Sequence, residues 1–282
     1  MNFKQYLQVI QNQNHPLKFI ISRILMRSNL SNLIMIKLKD YNLKFYPIPF
    51  LASLWIDPQY RNKSHILFAD YLKPGDKVLD LGANVGTVTL EAAAKVGSSG
   101  KVYAIEPHPR IFRYLQGNIK LNHLTHIQTF NVALGDKEEM GILSDIKSDD
   151  QNAIIQTGNG IKVPIQKLDD LPINESKISL MIIDAIGYEK FILMGGLKTL
   201  EKTKCVHFPA IERFFEKYGY NYKDILNIFT KQGFELFKFS VEKTIKSIDE
   251  KYVPDENALI TDLLAIRDVN DFLSRTKYNL VK

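Results

Sequence analysis

The chain has 282 residues, 45% of them hydrophobic and 24% charged, with a net charge of +6 and one cysteine. That composition is ordinary for a folded globular protein, with room for one domain of about 200–230 residues and a modest extension. A lone cysteine, Cys205, excludes a disulfide framework and a cysteine-rich metal site, and it accords with a cytoplasmic location.

The positive charge is unevenly placed. No acid precedes Asp40, whereas Lys4, Lys18, Arg23, Arg27, Lys37 and Lys39 are all basic. In that region Leu17, Ile20, Ile21, Ile24 and Leu25 recur at helical spacing. The segment is too short to span a bilayer and lacks a small-residue cleavage pattern. The favoured reading is a helix laid against the main domain with its cations in water. The other is a basic amphipathic helix in weak peripheral contact with a membrane, or with a polymer substrate.

Residues 34–46 alternate apolar and polar around Asp40-Tyr41-Asn42, which predicts a β-hairpin. Pro47, Pro49 and Asp57-Pro58 punctuate a loop carrying Trp55 and Tyr60, each a core or lid residue. Residues 65–72 read as a short helix.

Lys77-Val-Leu-Asp-Leu-Gly-Ala-Asn-Val-Gly86 follows, and it organises the rest. Val78, Leu79 and Leu81 form an apolar run typical of a strand buried on both faces of a parallel sheet. The run breaks at Gly82 and Gly86 and enters an Ala-rich helix. Such a turn lets a ligand approach the backbone, with the first helical N–H groups pointing at it. A dinucleotide site wants Gly-x-Gly-x-x-Gly, but here Asn84 holds the middle position. Asp80, at the strand's end, would repel a pyrophosphate and suits a cationic group such as the amino group of S-adenosylmethionine (SAM). Residues 101–106 make a second strand ending in Glu106, where an α/β nucleotide site places a carboxylate for the ribose hydroxyls.

Further on, residues 110–122 predict a helix and residues 127–133 a third strand. Residues 140–165 look like an antiparallel excursion with Asn159-Gly160 as its hairpin turn. A buried strand over 179–184 ends in Asp184, and a helix spans 188–202. A fifth strand spans 205–212, a helix 222–232, and last strands 234–239 and 263–266.

Five ordered blocks between about Asp70 and Glu212 carry a family resemblance. They are residues 74–86, Ala104-Ile-Glu-Pro107, Asn131-Val-Ala-Leu-Gly-Asp136, Leu168-Asp-Asp-Leu171 and Ile183-Asp-Ala-Ile-Gly-Tyr-Glu189. Together they resemble the FkbM-type methyltransferases, SAM-dependent class I enzymes known mainly for O-methylation. The resemblance implies an α/β Rossmann-like fold: a mostly parallel seven-stranded sheet with helices on both faces, over residues 51–282. Residues 1–50 would be a helix and hairpin extension. It further implies that Asp80, Gly82, Asn84 and Gly86, with Ala83 and Thr87 of the same turn, hold the methionine end of SAM. Glu106 would take the ribose, and Pro107, Asn131 and Ala133 would flank the adenine. The family usually reads Asp-Val-Glu-Gly where this chain has Asp184-Ala-Ile186-Gly187, so a carboxylate near the expected reaction centre is missing.

An alcohol acceptor needs alignment with the S–CH3 bond and a nearby base. Asp184 is the best-placed candidate, with Glu212 and His207 next and Glu189 already inside its helix. Asp184 could equally bind the SAM amino group, His207 reads as a core histidine, and Glu212 could pair with Arg213 on the rim. The aromatic run 213–222 could stack on a flat acceptor or pack a helix. The acceptor is read as a small molecule or glycan: a sugar, lipid-linked saccharide or secondary metabolite. RNA or protein methylation and a silent SAM-binding module are the alternatives. No Asn/Asp-Pro-Pro follows the fourth strand and no RNA-binding signature appears, which argues against nucleic acid. No metal ligand is assigned.

Overall fold

The computed structural model describes residues 15–58, 64–146, 151–240, 242–249, 252 and 262–281, the side chains of 29, 32 and 64–66 excepted. Lys4 and Tyr60 lie outside them. The chain enters as helix α1 (Pro16–Leu25), the hairpin β1 (Met35–Lys37) and β2 (Asn42–Lys44), and helices α2 (Pro49–Ile56) and α3 (Ser64–Tyr71). Helix α2 occupies what reads in sequence as a punctuated loop. Pro49 sits in its first turn, where no backbone N–H is needed, so the proline starts the helix.

Next come β3 (Lys77–Leu81), α4 (Thr87–Val96), β4 (Lys101–Ile105), α5 (Pro109–Leu121) and β5 (Ile127–Phe130). A small sheet follows: β6 (Ala133–Leu134), β7 (Glu139–Leu143), β8 (Ile154–Ile155) and β9 (Ile161–Gln166), in the order β6-β9-β7-β8. Asn159 and Gly160 are therefore not a hairpin turn. Strand β7 lies between β8 and β9 and pairs antiparallel with both, so that connection crosses over it.

The remainder is β10 (Ile178–Ile183), α6 (Glu189–Met194), α7 (Leu197–Glu201), β11 (Thr203–Pro209), α8 (Glu212–Phe215), α9 (Tyr222–Lys231), β12 (Glu235–Phe239), β13 (Thr244–Ser247), β14 (Asp262–Ile266), α10 (Val269–Arg275) and β15 (Asn279–Val281). The single helix expected over 188–202 is broken at Gly195 and Gly196. Strand β11 ends three residues before Glu212, which opens α8 instead.

Seven strands form the expected sheet in the order β5-β4-β3-β10-β11-β14-β12, with β14 antiparallel to both neighbours and the other pairings parallel. Strands β13 and β15 widen it to nine at the β12 edge. They are short, and β15 is exposed throughout, so no apolar run announces them. Side chains alternate across the sheet. Leu79, Leu81, Met181, Ile183, Val206 and Phe208 face α6–α9, while Val78, Leu180, Ile182 and Cys205 face α3, α4 and α10.

Residues 25–48 share a core with the domain: Leu25, Ile36, Leu43, Phe45 and Ile48 pack with Val85, Leu90 and Ile111. Polar stitches fix the hairpin to α5. Asn118 accepts from Lys44 N (2.9 Å) and donates to Val85 O (2.8 Å); Asn122 accepts from Asn42 N (2.8 Å) and donates to Asn42 O (2.7 Å). Tyr46 stacks on Tyr114 at 4.0 Å.

Helix α1 does lie against the domain, on α2, but with an unexpected face. It buries Phe19, Ser22 and Leu25. The Ser22 hydroxyl donates to Phe19 O (2.7 Å), so this small polar residue is satisfied within its own helix. Of the five apolar residues expected to pack, Leu25 alone is buried; Leu17, Ile20, Ile21 and Ile24 are exposed. Among the described residues no helix is long and apolar enough to cross a membrane.

Candidate active site

Strands β3, β4 and β10 end side by side where the sheet's connections reverse direction, the usual place for a ligand crevice in an open α/β sheet. A cleft of about 760 Å³, counted to its open mouth, lies there. Its floor is the turn after β3. Gly82 (φ +99°) presses against the next strand so closely that a Cβ would overlap the Asp184 carbonyl oxygen. Within the turn every N–H is used. Gly82 and Ala83 donate to Ile105 O (3.0 and 2.9 Å), Asn84 to Glu106 Oε2 (2.9 Å), Val85 to Asn84 Oδ1 (2.7 Å) and Gly86 to Ala83 O (2.9 Å). The turn thus offers no row of donors to a pyrophosphate, contrary to the open anion-binding corner suggested by its glycines.

Glu106 is held from both sides, Oε2 by Asn84 N–H and Oε1 by His108 N–H (2.8 Å). Across the cleft, Asp184 stands exposed at the end of β10. After it the chain turns through Ile186 at φ +46°, a costly conformation for a β-branched residue, and Gly187 at φ +89°. The small sheet and the chain leading into its strands supply Ala133, Leu143, Asn152, Ala153 and Ile154 to the lining, which Pro107 and Val132 complete on the side of β4 and β5. It is tied down on two sides. The Tyr218 hydroxyl donates to Ile154 O (2.6 Å), and Arg110 and His108 reach Asp145 Oδ1 (3.2 Å each).

Negative charge collects beneath the cleft. Asp80 is buried and accepts from the Thr89 hydroxyl and backbone N–H, capping α4 where the N-cap residue Gly86 has no side chain. Burial pushes its pKa up to about 7; the Thr89 hydroxyl opposes, and the charge of Asp184 adds. Glu189 is also buried and pushed up to about 7, chiefly by burial, against backbone hydrogen bonds at Glu189, Gly187 and Ala185. Asp184 raises it further. Two acids on the verge of ionising, both sensing a third, make a site that a cation would relieve.

The methyltransferase FkbM domain model matches residues 80–236, more than half of the chain. The chain belongs to the FkbM methyltransferase family. SAM is accordingly its methyl donor. The chain is also similar to a probable cobalt-precorrin-6B C(15)-methyltransferase (decarboxylating) of Saccharolobus solfataricus, 31% identical over 147 residues, covering 52% of this chain and 69% of that one. Methyltransferase 1 of Beauveria bassiana is 26% identical over 144 residues, covering 42% and 57%. Similar solved structures include a methyltransferase FkbM from Methylobacillus flagellatus (14% identity, TM-score 0.44, 76% of this chain and 52% of that one). Another is a SAM-dependent O-methyltransferase from Thermotoga maritima (16%, 0.42, 73% and 64%).

In this FkbM methyltransferase Gly82, Asn84, Glu106, Pro107, Ala133 and Asp184 meet in the cleft. Asp80, Ala83, Gly86 and Thr87 are buried behind its floor and do not line it. Asn131 stands beside it, donating to Glu106 O (2.8 Å) and Pro107 O (3.1 Å). His207 is elsewhere, buried on β11 against Phe68 and Phe239 with Asp262 Oδ1 3.3 Å from Nε2. Glu212 accepts from Tyr222 N (3.0 Å) and braces α9. Tyr220, in the aromatic run, donates to Gly187 O (2.6 Å), and Phe215 packs in the core. Sequence reasoning placed Glu189 last and missed Asn152 altogether. Asn152 has a buried Nδ2 with no hydrogen-bond partner among the described residues, while its Oδ1 accepts from Ser144 Oγ (3.2 Å) and Ile146 N (3.0 Å). No sequence signal marks it, because a lone Asn in a polar stretch resembles any turn residue.

Proposed function

We propose that this methyltransferase acts on a hydroxyl oxygen of a sugar, glycan, lipid-linked saccharide or secondary metabolite, with Asp184 as the base. The observation that carries the reading is the exposed Asp184 carboxylate in the lining of the cleft, with two further acids buried close by.

The cleft fits the donor in two respects. Its apolar wall residues suit a flat base, and Asn152 Nδ2 is a buried donor lacking an acceptor among the described residues. Gly82 and Asn84 would hold the methionine end, Glu106 the ribose, and Pro107, Val132 and Ala133 the adenine, with Asn152 donating to a ring nitrogen. Asp80 would act through its charge from behind the loop. When bound, SAM supplies an electrophilic methyl group on a sulfonium. Asp184 would take the proton of the acceptor hydroxyl, leaving the oxygen free to accept the methyl group. Such a base is worth about 10²–10⁴-fold, and alignment adds several kcal/mol.

A second reading, a carbon acceptor, is favoured by the 31% identical C-methyltransferase. The test is transfer of labelled methyl to fractionated cell extract, followed by hydriodic acid. A methoxy product releases the label as iodomethane, whereas a C-methyl product keeps it. Asp184→Asn is expected to lower kcat by about 10²-fold with SAM still bound. Label in RNA alone overturns the acceptor class, and SAM binding without any transfer leaves a silent binding module.

A further inference from the structure

We propose that the outward face of α1 and the turn after it docks this protein on the surface of an anionic lipid bilayer. The reading is independent of the acceptor. Leu17, Ile20, Ile21 and Ile24 form one stripe along α1, with Leu17 76% and Ile24 61% exposed. Leu30 (59%) and Leu33 (81%) continue the same stretch of chain beyond it. Single exposed leucines are common on soluble proteins, but a run of them is not.

Charge selects the occupant. The chain's 31 acids all lie at or beyond residue 40, while Arg23, Arg27, Lys37 and Lys39 stand exposed among the apolar residues. Asp40 itself is paired with Lys95 at 3.2 Å. Hydrocarbon flanked by cations that meet no acid among the described residues matches a lipid interface with acidic headgroups. The geometry suits lying on such a surface: α1 has ten residues, and Phe19, Ser22 and Leu25 hold it to the domain so that the other face is presented outward. The first fourteen residues of the sequence likewise contain no acid and one cation, Lys4.

The test is sedimentation of the full chain with vesicles of phosphatidylcholine alone or with about one-third phosphatidylglycerol, at low and high salt. Binding is expected only to the anionic vesicles, and it should weaken with salt. Ile24→Asp with Leu33→Asp should lower partitioning at least about tenfold, by removing buried hydrocarbon and adding repulsion. Arg27→Gln with Lys37→Gln should lower it by about tenfold or more, since each cation near an anionic surface is worth ~5-fold. Both double variants should keep the melting temperature and SAM binding of the parent. Three results would overturn the proposal. One is no binding to anionic vesicles at low salt. Another is an aspartate variant that turns an oligomer into a monomer while vesicle binding persists, which assigns the face to a second copy. The third is stronger vesicle binding after deletion of residues 1–14, which makes that segment the native cover.

Discussion

Two regions of this molecule, the cleft and helix α1, invert the ordinary partition of residues in opposite ways. Beneath the cleft, Asp80 and Glu189 bury carboxyl groups with Asp184 close enough to raise both. On α1, Leu17 and Ile24 hold hydrocarbon in water. A buried acid without a cation and an exposed apolar stripe both cost free energy in the isolated chain. What differs is the missing complement. Among the described residues the lining of the cleft holds no positive charge, which a sulfonium donor carries, and nothing covers the apolar stripe of the helix, which an apolar layer edged with negative charge would do. Each inversion specifies its partner by what it leaves unsatisfied.

The largest test of the cleft half is its pH dependence. Between about pH 4 and pH 7 the unfolded chain ionises Asp80 while the folded chain keeps it protonated, so stability falls as pH rises through that window. Above about 7 both states are ionised and the loss is complete. A shift of this size corresponds to on the order of 4 kcal/mol. Asp80→Asn retains an acceptor for Thr89 and should remove the Asp80 share of this slope, leaving that of Glu189, which is raised in the same way; urea titrations of both proteins at pH 5 and 8 compare them. The same acids should release protons when SAM binds, seen as a buffer-dependent enthalpy in calorimetry, and Asp80→Asn should weaken binding about tenfold.

Gly82→Ala should cost about 3 kcal/mol, because a Cβ meets backbone at a left-handed position, and should abolish SAM binding; the denaturation midpoint and calorimetry report both. Asn118→Ala sharpens the other half. It cuts the hydrogen bonds to Lys44 N and Val85 O, at a cost of ~2 kcal/mol, and should loosen the hairpin in hydrogen exchange while SAM still binds. The smallest expected effect is a gain. Ile186→Asn relieves a strained left-handed residue and should raise stability by about 1 kcal/mol in a thermal melt.

Much of the sheet was legible because its central strands are buried and rich in apolar residues. Val78, Leu79 and Leu81, and the run from Ile178 to Ile183, can only be central strands, and the glycines after them locate the cleft. Glu106 was legible for the same reason, standing one residue past such a run. Asp80 was legible as a site residue but not in its manner of acting. Its partner Thr89 is nine positions away and on a different element, so the capping contact exists only in the fold. Glu189 looks like any helix-opening acid until the Asp184–Gly187 turn closes over it. Helix α1 was found by its periodicity, yet periodicity reports that a stripe exists and not which way it faces. Phe19, Ser22 and Leu25 won the packing, and the longer aliphatic face was left outside.

Cys205 lies at the centre of β11, fully buried, with its thiol pushed well above the usual range by that burial. A maleimide or disulfide reagent should therefore ignore the native chain and react only when the sheet opens. The parent protein thus carries its own unfolding reporter. A brief labelling pulse counts opened molecules, with and without SAM, and requires no engineered probe.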